Sequence, residues 1–293
     1  MEGENRIGEF LRARRQLVRP EDVGLPNAGR RRVAGLRREE LALLAGVSAD
    51  YYTRLEQGRD QHPSEQVLDA LARALQLDEA AAAHLHELAR PSPRHSGGGA
   101  SVERVRPGVR TLLETWDHTP AFVTGRLLDV LAANRLALAL SPMHAVGGNL
   151  LRAIFLDPDA RDAHPDRDAF GARIVATLRA AVGASLDDPR LTDLVRELSV
   201  GSDEFRRLWD RHIVRERADG WKTFEHPLLG RVELGYETFA INGRGAEGQI
   251  LVAYHADPGS SSARALALLE SMSARDAEAG VTPRPASPPP AAP

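Results

Sequence analysis

The fold is decided by the stretch from Leu41 to Gly58, LALLAGVSADYYTRLEQG. Two short helical patterns meet at Gly46. Helices that cross at close range need small residues at the contact, and Ala42 and Ala45 supply them. Gly46 can take the positive φ of a tight turn. Val47 is expected to plug the core from that turn. Ser48 can cap the next helix by accepting from its orphan backbone N–H groups. Tyr52 and Leu55, three apart, point inward together. Ala49, Asp50, Tyr51 and Arg54 are left facing outward near the first turns, where a recognition helix meets base edges. A plain helical hairpin would share the small-residue contact, so the flanking sequence has to decide.

Working outward, residues 6–18 place Ile7, Phe10, Leu11 and Leu17 at helical spacing. Residues 19–35, with Pro20 and Pro26, read as irregular. Leu36–Ala45, Ser48–Gln57, Ser64–Gln76 and Asp78–Ala89 read as four more helices. Ser48, Ser64 and Asp78 are candidate N-caps, and Gly46 and Gly58 follow helix ends. Between Arg6 and Arg59 there are 12 arginines against 7 acidic residues. Between Asp60 and Arg90 there are 2 against 6. A basic segment beside an acidic one can give a small helical domain one positive face. With five helices of fitting length and a basic flank, the reading is an all-α helix-turn-helix domain that binds DNA over residues 1–90.

Residues 91–103 read as a linker, stiffened by prolines at its start and loosened by Gly97–Gly99. From residue 274 to 293 the chain is rich in alanine and proline and is expected to be a disordered tail. Residues 104–273 are mixed. Pro120–Thr124 and Leu127–Ala132 suggest a β-hairpin around Gly125–Arg126, and Asn134 can open a helix. Residues 168–182, 190–199 and 204–214 have helical spacing. Trp221–Glu225, Arg231–Ile241 and Gln249–His255 alternate as strands do, with Asn242–Gly243 as a turn before the last. Strands, then helices, then strands predict an α+β domain with an antiparallel sheet. The fold class is therefore multi-domain.

Composition excludes several classes. There is no cysteine among the 293 residues, so disulfides, cysteine-ligated metals and a cysteine nucleophile are out. A cysteine-free chain with no recognisable signal segment fits a reducing cytoplasm. No apolar run approaches the ~18 residues of a membrane span. The net charge of −3 argues against indiscriminate nucleic-acid coating. Walker loops and the GxSxG and HExxH motifs are missing, and the sequence points to no enzyme and no cofactor. His84 and His86 lie two apart and do not share a helix face. His212, His226 and His255 are a possible but unsupported metal triad, so no metal is expected. The chain contains a single lysine, Lys222, and its arginine dominance partly reflects a GC-rich, alanine-rich composition rather than selection for phosphate binding.

The motif from Leu41 to Gly58 resembles the XRE family of Cro/C1-type helix-turn-helix domains, over about residues 6–76. The long arginine-bearing connection between the first two helices departs from the usual pattern. The resemblance implies a dimer on a pseudo-palindromic operator, with the positions of Ala49, Asp50 and Arg54 facing bases. Asp50 would accept from a cytosine amino group and Arg54 would read guanine. Ser48 and Tyr51 belong to the same surface. Arg30, Arg31, Arg32, Arg37 and Arg38 suit phosphates, which set register rather than sequence. For Arg30–Arg32 a merely solvated loop is the alternative.

Gly125-x-x-x-Asp129-Val130-Leu131-Ala132-Ala133-Asn134 resembles the start of a PAS domain. Phe205-x-x-Leu208-Trp209-x-x-His212, His226-Pro227-x-x-Gly230 and Leu251-x-x-Tyr254-x-x-x-Pro258-Gly259-Ser260 follow in order. Behind a helix-turn-helix, this series is similar to the MmyB-like transcription regulators of bacteria. That resemblance implies a PAS-like pocket for a small apolar or fatty-acid-like ligand. Trp116, Phe122, Leu128, Phe155, Trp209 and Phe239 are candidates to line such a cavity, or else simply fill the core. His212 or Arg215 could meet a ligand carboxylate at the mouth. The alternative is a second domain that only dimerises or docks a partner protein.

Overall fold

The computed structural model describes residues 5–26, 33–60, 62–89, 103–158, 165–182, 188–214, 219–243, 246 and 248–278. They fall into two compact units. One lies within residues 1–99 and 175–216, the other within residues 100–174 and 217–293. The expected boundaries, 1–90 and 104–273, follow the chain. The compact units do not, because residues 175–214 group with the first.

The first unit opens with five helices: α1 (Arg6–Leu17), α2 (Arg38–Ala45), α3 (Ala49–Glu56), α4 (Glu65–Ala74) and α5 (Glu79–Ala89). A 3₁₀ turn, Pro20–Val23, follows α1. Each start has a local cause. Asn5, Ser48 and Ser64 accept from backbone N–H groups three residues on. Gly46 ends α2 in the left-handed conformation, φ 68°. A Cβ there would meet nothing within 4 Å, so replacement would cost backbone strain alone, about 1–2 kcal/mol. Ile7, Phe10, Leu11, Leu41, Ala42, Ala45, Tyr52 and Leu55 are buried in one core. Val47 packs on it from the turn. Leu17, expected to face inward, is exposed at the end of α1. Helix α2 begins at Arg38 rather than Leu36; Leu36 is fully buried and donates its N–H to the Arg15 carbonyl.

In the second unit a five-stranded antiparallel sheet has the order β2-β1-β5-β4-β3. The strands are β1 (Ala121–Thr124), β2 (Val130–Ala133), β3 (Asp219–His226), β4 (Gly230–Ala240) and β5 (Ile250–His255). The expected hairpin is β1–β2, with a bulge between Val123 and Thr124. Asn134 caps α7 (Arg135–Leu140), accepting from the Ala137 N–H. Its amide also donates to the carbonyls of Trp116 and Thr119. Helix α9 (Arg167–Val182) runs from this unit into the stretch grouped with the first. That stretch continues with α10 (Pro189–Gly201) and α11 (Asp203–Asp210).

Three helices lie where the sequence pattern suggests none: α6 (Pro107–Glu114), α8 (Leu150–Phe155) and α12 (Ser261–Glu278). Pro107 opens the first, and Asn149 caps the second by accepting from two N–H groups. Both are too short for periodicity to stand out. Helix α12 carries residues 274–278, which are helical rather than part of the expected tail. Alanine is the best helix former, and this piece holds no proline.

Strand alternation gives the sheet two faces. On one face Ala121, Val123, Ala132 and Leu251 pack with Val105 and Leu113 under α6. On the other lie Phe122, Lys222, Phe224, Val232, Leu234, Val252 and Tyr254, all buried.

Candidate functional site

The helix-turn-helix presents the expected outward face. Ser48, Ala49, Asp50 and Arg54 are exposed and Tyr51 is half-buried at the head of α3. Asp50 and Arg54, one turn apart, are ion-paired to each other. Arg54 also lies over the Tyr51 ring, 5.8 Å from its centre. Arg37 is exposed at the start of α2. Arg30, Arg31 and Arg32 lie outside the described residues.

Beneath this face sits a buried charge network. Glu56, at the end of α3, has its side chain 1% exposed. Arg15 of α1 grips it with two bonds, Nε to Oε2 at 2.9 Å and Nη2 to Oε1 at 3.0 Å. Arg15 Nη1 donates to the Leu36 carbonyl at 2.7 Å. Arg38 adds Nε to Glu56 Oε1 at 2.9 Å. Burial alone would raise the Glu56 pKa, but the bonds from Arg15 and Arg38 outweigh it and hold the carboxyl below its ordinary value. The network ties α1, α2 and α3 together and so fixes the aim of α3. Arg38 therefore has a structural partner as well as its expected phosphate role.

The inner sheet face of the second unit is built differently. Phe122 stacks on His144 with ring centres 4.5 Å apart. Phe224 and Tyr254 meet edge to face at 5.4 Å. His144 Nδ1 donates to the Ala137 carbonyl at 2.9 Å, which leaves Nε2 facing Tyr254 Oη at 3.4 Å. Lys222 lies in this shell, 2% exposed. Aromatic surface with a few converging polar groups is the usual make-up of a small-molecule site.

A family model described as the MmyB-like transcription regulator ligand binding domain matches residues 105–269, more than half of the chain. The chain belongs to the MmyB-like transcription regulators. A second model, a helix-turn-helix domain, matches residues 6–85. No curated protein sequence matches the chain. The regulator is thus a DNA-binding transcription regulator with a ligand-binding domain, and both matched families are regulatory.

Within this regulator the residues expected to line one cavity are scattered. Phe122 is on the inner sheet face, whereas Trp116 packs with the opposite-face core. Phe239 is 52% exposed on β4. Leu128 and Phe155 are buried, Leu128 with φ 67°. Trp209 and His212 belong to the first unit. There Arg179 stacks on Trp209 at 3.9 Å and donates to His212 Nδ1 at 3.1 Å. Arg215 lies outside the described residues. His226 bonds the Ala139 carbonyl at 3.1 Å, and His255 sits edge-on to Trp221. Among the described residues, no group of three metal-ligating side chains is placed to hold an ion. His84 is buried against Phe10 and His86 pairs with Asp69, so the two do point apart.

Sequence reasoning missed Lys222, His144 and Tyr254 as neighbours, and missed the Arg15–Glu56 pair. For Lys222 a signal existed: a lone lysine in an arginine-rich chain. For Arg15 and Glu56, 41 residues apart, there was none.

Proposed function

We propose that this regulator binds a pseudo-palindromic operator as a homodimer through α3, and that its PAS-like domain, residues 104–273, senses a small apolar, fatty-acid-like molecule. Ala49, Asp50, Tyr51 and Arg54 read bases. Arg37, Arg38 and Arg30–Arg32 hold phosphates, with Ser48 at the head of the reading helix. The hairpin that ends at Asn134 and opens a helical segment supports the PAS-like reading. The ligand takes the inner sheet face, where Phe122, His144, Phe224 and Tyr254 enclose an aromatic surface. A binding role of this kind needs no catalysis and fits a cytoplasmic protein.

The observation that carries the DNA reading is the exposed Asp50–Arg54 face, braced from behind by the Glu56 network. Genome-wide mapping of bound sites, followed by titration of one such site with the purified protein, tests it. Paired half-sites about one or more helical turns apart are expected. Binding of a single unpaired half-site at one-to-one stoichiometry would overturn the dimer. For sensing, native mass spectrometry of protein purified from cells should show an added small molecule that dissociates under activation. A ligand can change operator affinity only by favouring one of two states of the dimer. Operator affinity that never responds to the released molecule would leave the domain a docking or dimerisation module.

A further inference from the structure

The Phe205-x-x-Leu208-Trp209-x-x-His212 series has a double allegiance. It lies within residues 105–269, matched to the ligand-binding domain. The compact unit that holds it is nevertheless that of the helix-turn-helix. Val214, just beyond it, is buried in the same core as Phe10, Leu11 and Leu85, and Ala180 of α9 packs on that core. Arg179 of α9 is 3% exposed. Its guanidinium stacks on Trp209 at 3.9 Å, and donates to the Trp209 carbonyl at 2.7 Å and to His212 Nδ1 at 3.1 Å. His212 is held in the left-handed region, φ 49°, which costs a residue other than glycine backbone strain. Burial lowers the Arg179 pKa to about 10, and the charges of Glu9 on α1 and of Asp210 oppose that. His84 of α5, set edge-on against Phe10, lies in the field of the same guanidinium. Among the described residues Arg179 Nε and His84 Nδ1 are buried without a hydrogen-bond partner.

Helix α9 is a single 16-residue rod, about 24 Å long. Its first two turns belong to the second unit. There the centre of the Phe170 ring lies 3.9 Å from Lys222 Nζ, and Arg173 donates to the Trp221 carbonyl at 3.3 Å, both partners being on β3. Its last two turns carry Arg179 and Ala180 in the first unit. Packed helices shift as bodies, by about 1–2 Å, rather than deforming. The grip on the far end is built to yield. A buried polar cluster left partly unsatisfied holds less firmly than a completed one such as Arg15–Glu56. Elements that move in regulation come from the less stable parts of a fold. Helix α1, which brings Glu9 and Phe10 to this cluster, also carries Arg15, and Arg15 grips Glu56 at the end of α3.

We infer that α9 is the coupling element of the regulator: a ligand bound in the second unit shifts its first turns, and the Arg179–Trp209–His212 clasp passes the shift through α1 to α3. The inference rests on the ligand-sensing reading above. Arg179 is a positioning residue, acting on the reading helix through α1 and not by contact with bases.

Two measurements on the full chain test this. The first needs no ligand. Coupling is reciprocal, so operator bound at α3 should change amide hydrogen exchange in residues 175–182 and also in residues 167–174. In Arg179→Met the change in residues 167–174 should vanish. Exchange in residues 167–174 that ignores the operator in the parent protein overturns the inference. The second measurement uses decanoate as the probe. In the parent it should shift operator affinity by about fivefold or more. Arg179→Met should bind operator as the parent does and be raised in melting temperature by decanoate as the parent is. Its operator shift with decanoate should fall below about twofold, under the usual range of allosteric coupling. A shift in Arg179→Met as large as the parent's overturns the inference and leaves ligand sensing standing. Decanoate that alters neither the melting temperature nor the operator affinity of the parent overturns the sensing of such a molecule, and exchange then decides the role of α9 by itself. Exchange is read on the parent protein, so the outcome does not depend on the variant folding.

Discussion

Glu56 and Lys222 are both ionisable side chains sealed inside apolar surroundings, one in each unit. Glu56 has two arginines within 3.0 Å of its carboxylate, and every strong bond it needs is made within the chain. Lys222 has one thioether. The first arrangement is complete and holds three helices in register. The second is incomplete, and it lies in the domain whose family description is ligand binding. Completeness of pairing, rather than burial, is what distinguishes the two charges.

The contrast can be broken most directly at Glu56. Glu56→Ala should cost about 3–5 kcal/mol of unfolding free energy, because it strands the Arg15 guanidinium in the core. Urea unfolding of the full chain measures this, and a loss below about 1 kcal/mol would mean water already screens the pair. Lys222→Met should go the other way, stabilising the ligand-free protein by about 1–4 kcal/mol. The folded pKa of Lys222 lies below its unfolded value of about 10.4. Between about pH 7 and 10 the unfolded chain therefore binds the extra proton, and stability should rise with pH across that window. The methionine variant should lose that slope; a slope that persists would assign it to other groups.

Arg54→Ala should cost about 1–3 kcal/mol of discrimination between operator and random DNA, if Arg54 makes a paired base contact. The free protein holds Arg54 against Asp50, so part of the contact energy goes into parting them. An unchanged specificity ratio at fixed salt removes Arg54 from the reading set. A graded effect, set by how far the pH is lowered, is expected in mild acid. Burial and the nearby Arg179 lower the His84 pKa to about 4, and the same causes, with His84 itself, lower His212 to about 3. Below about pH 6.5 the unfolded chain takes up protons that the folded one refuses. Stability should then fall by about 1.4 kcal/mol per pH unit for each histidine. His84→Leu should halve that slope if the two act alike. Smallest of all, Arg37→Ala should flatten the plot of log K against log salt by about 0.9, one phosphate contact, with no change in sequence preference.

Much of the fold was legible where chain chemistry is local. The Gly46 turn, the Ser48 and Asn134 caps and the three long strands all depend on residues a few positions apart. The hairpin from Pro120 onward was found because alternation and a turn coincide. What escaped were short helices such as α8, where six residues offer less than two turns of pattern. The inner face escaped for a related reason. Phe122, His144, Lys222 and Tyr254 come from four separate stretches and meet only because β5 pairs between β1 and β4. Aromatic content suggested a cavity, but which side of a strand an aromatic occupies follows from register. Trp116 lies ahead of β1, outside any strand, and packs with the core on the face opposite Phe122.

The seclusion of Lys222 has a practical corollary. The chain carries no other ε-amino group, so reagents that acylate lysine find none on the folded surface. Mild acetylation at Lys222 becomes a clock for opening of the β-sheet domain: each modified molecule records one excursion that exposed β3. DNA bound at α3 should change the rate of that clock only if the two units communicate.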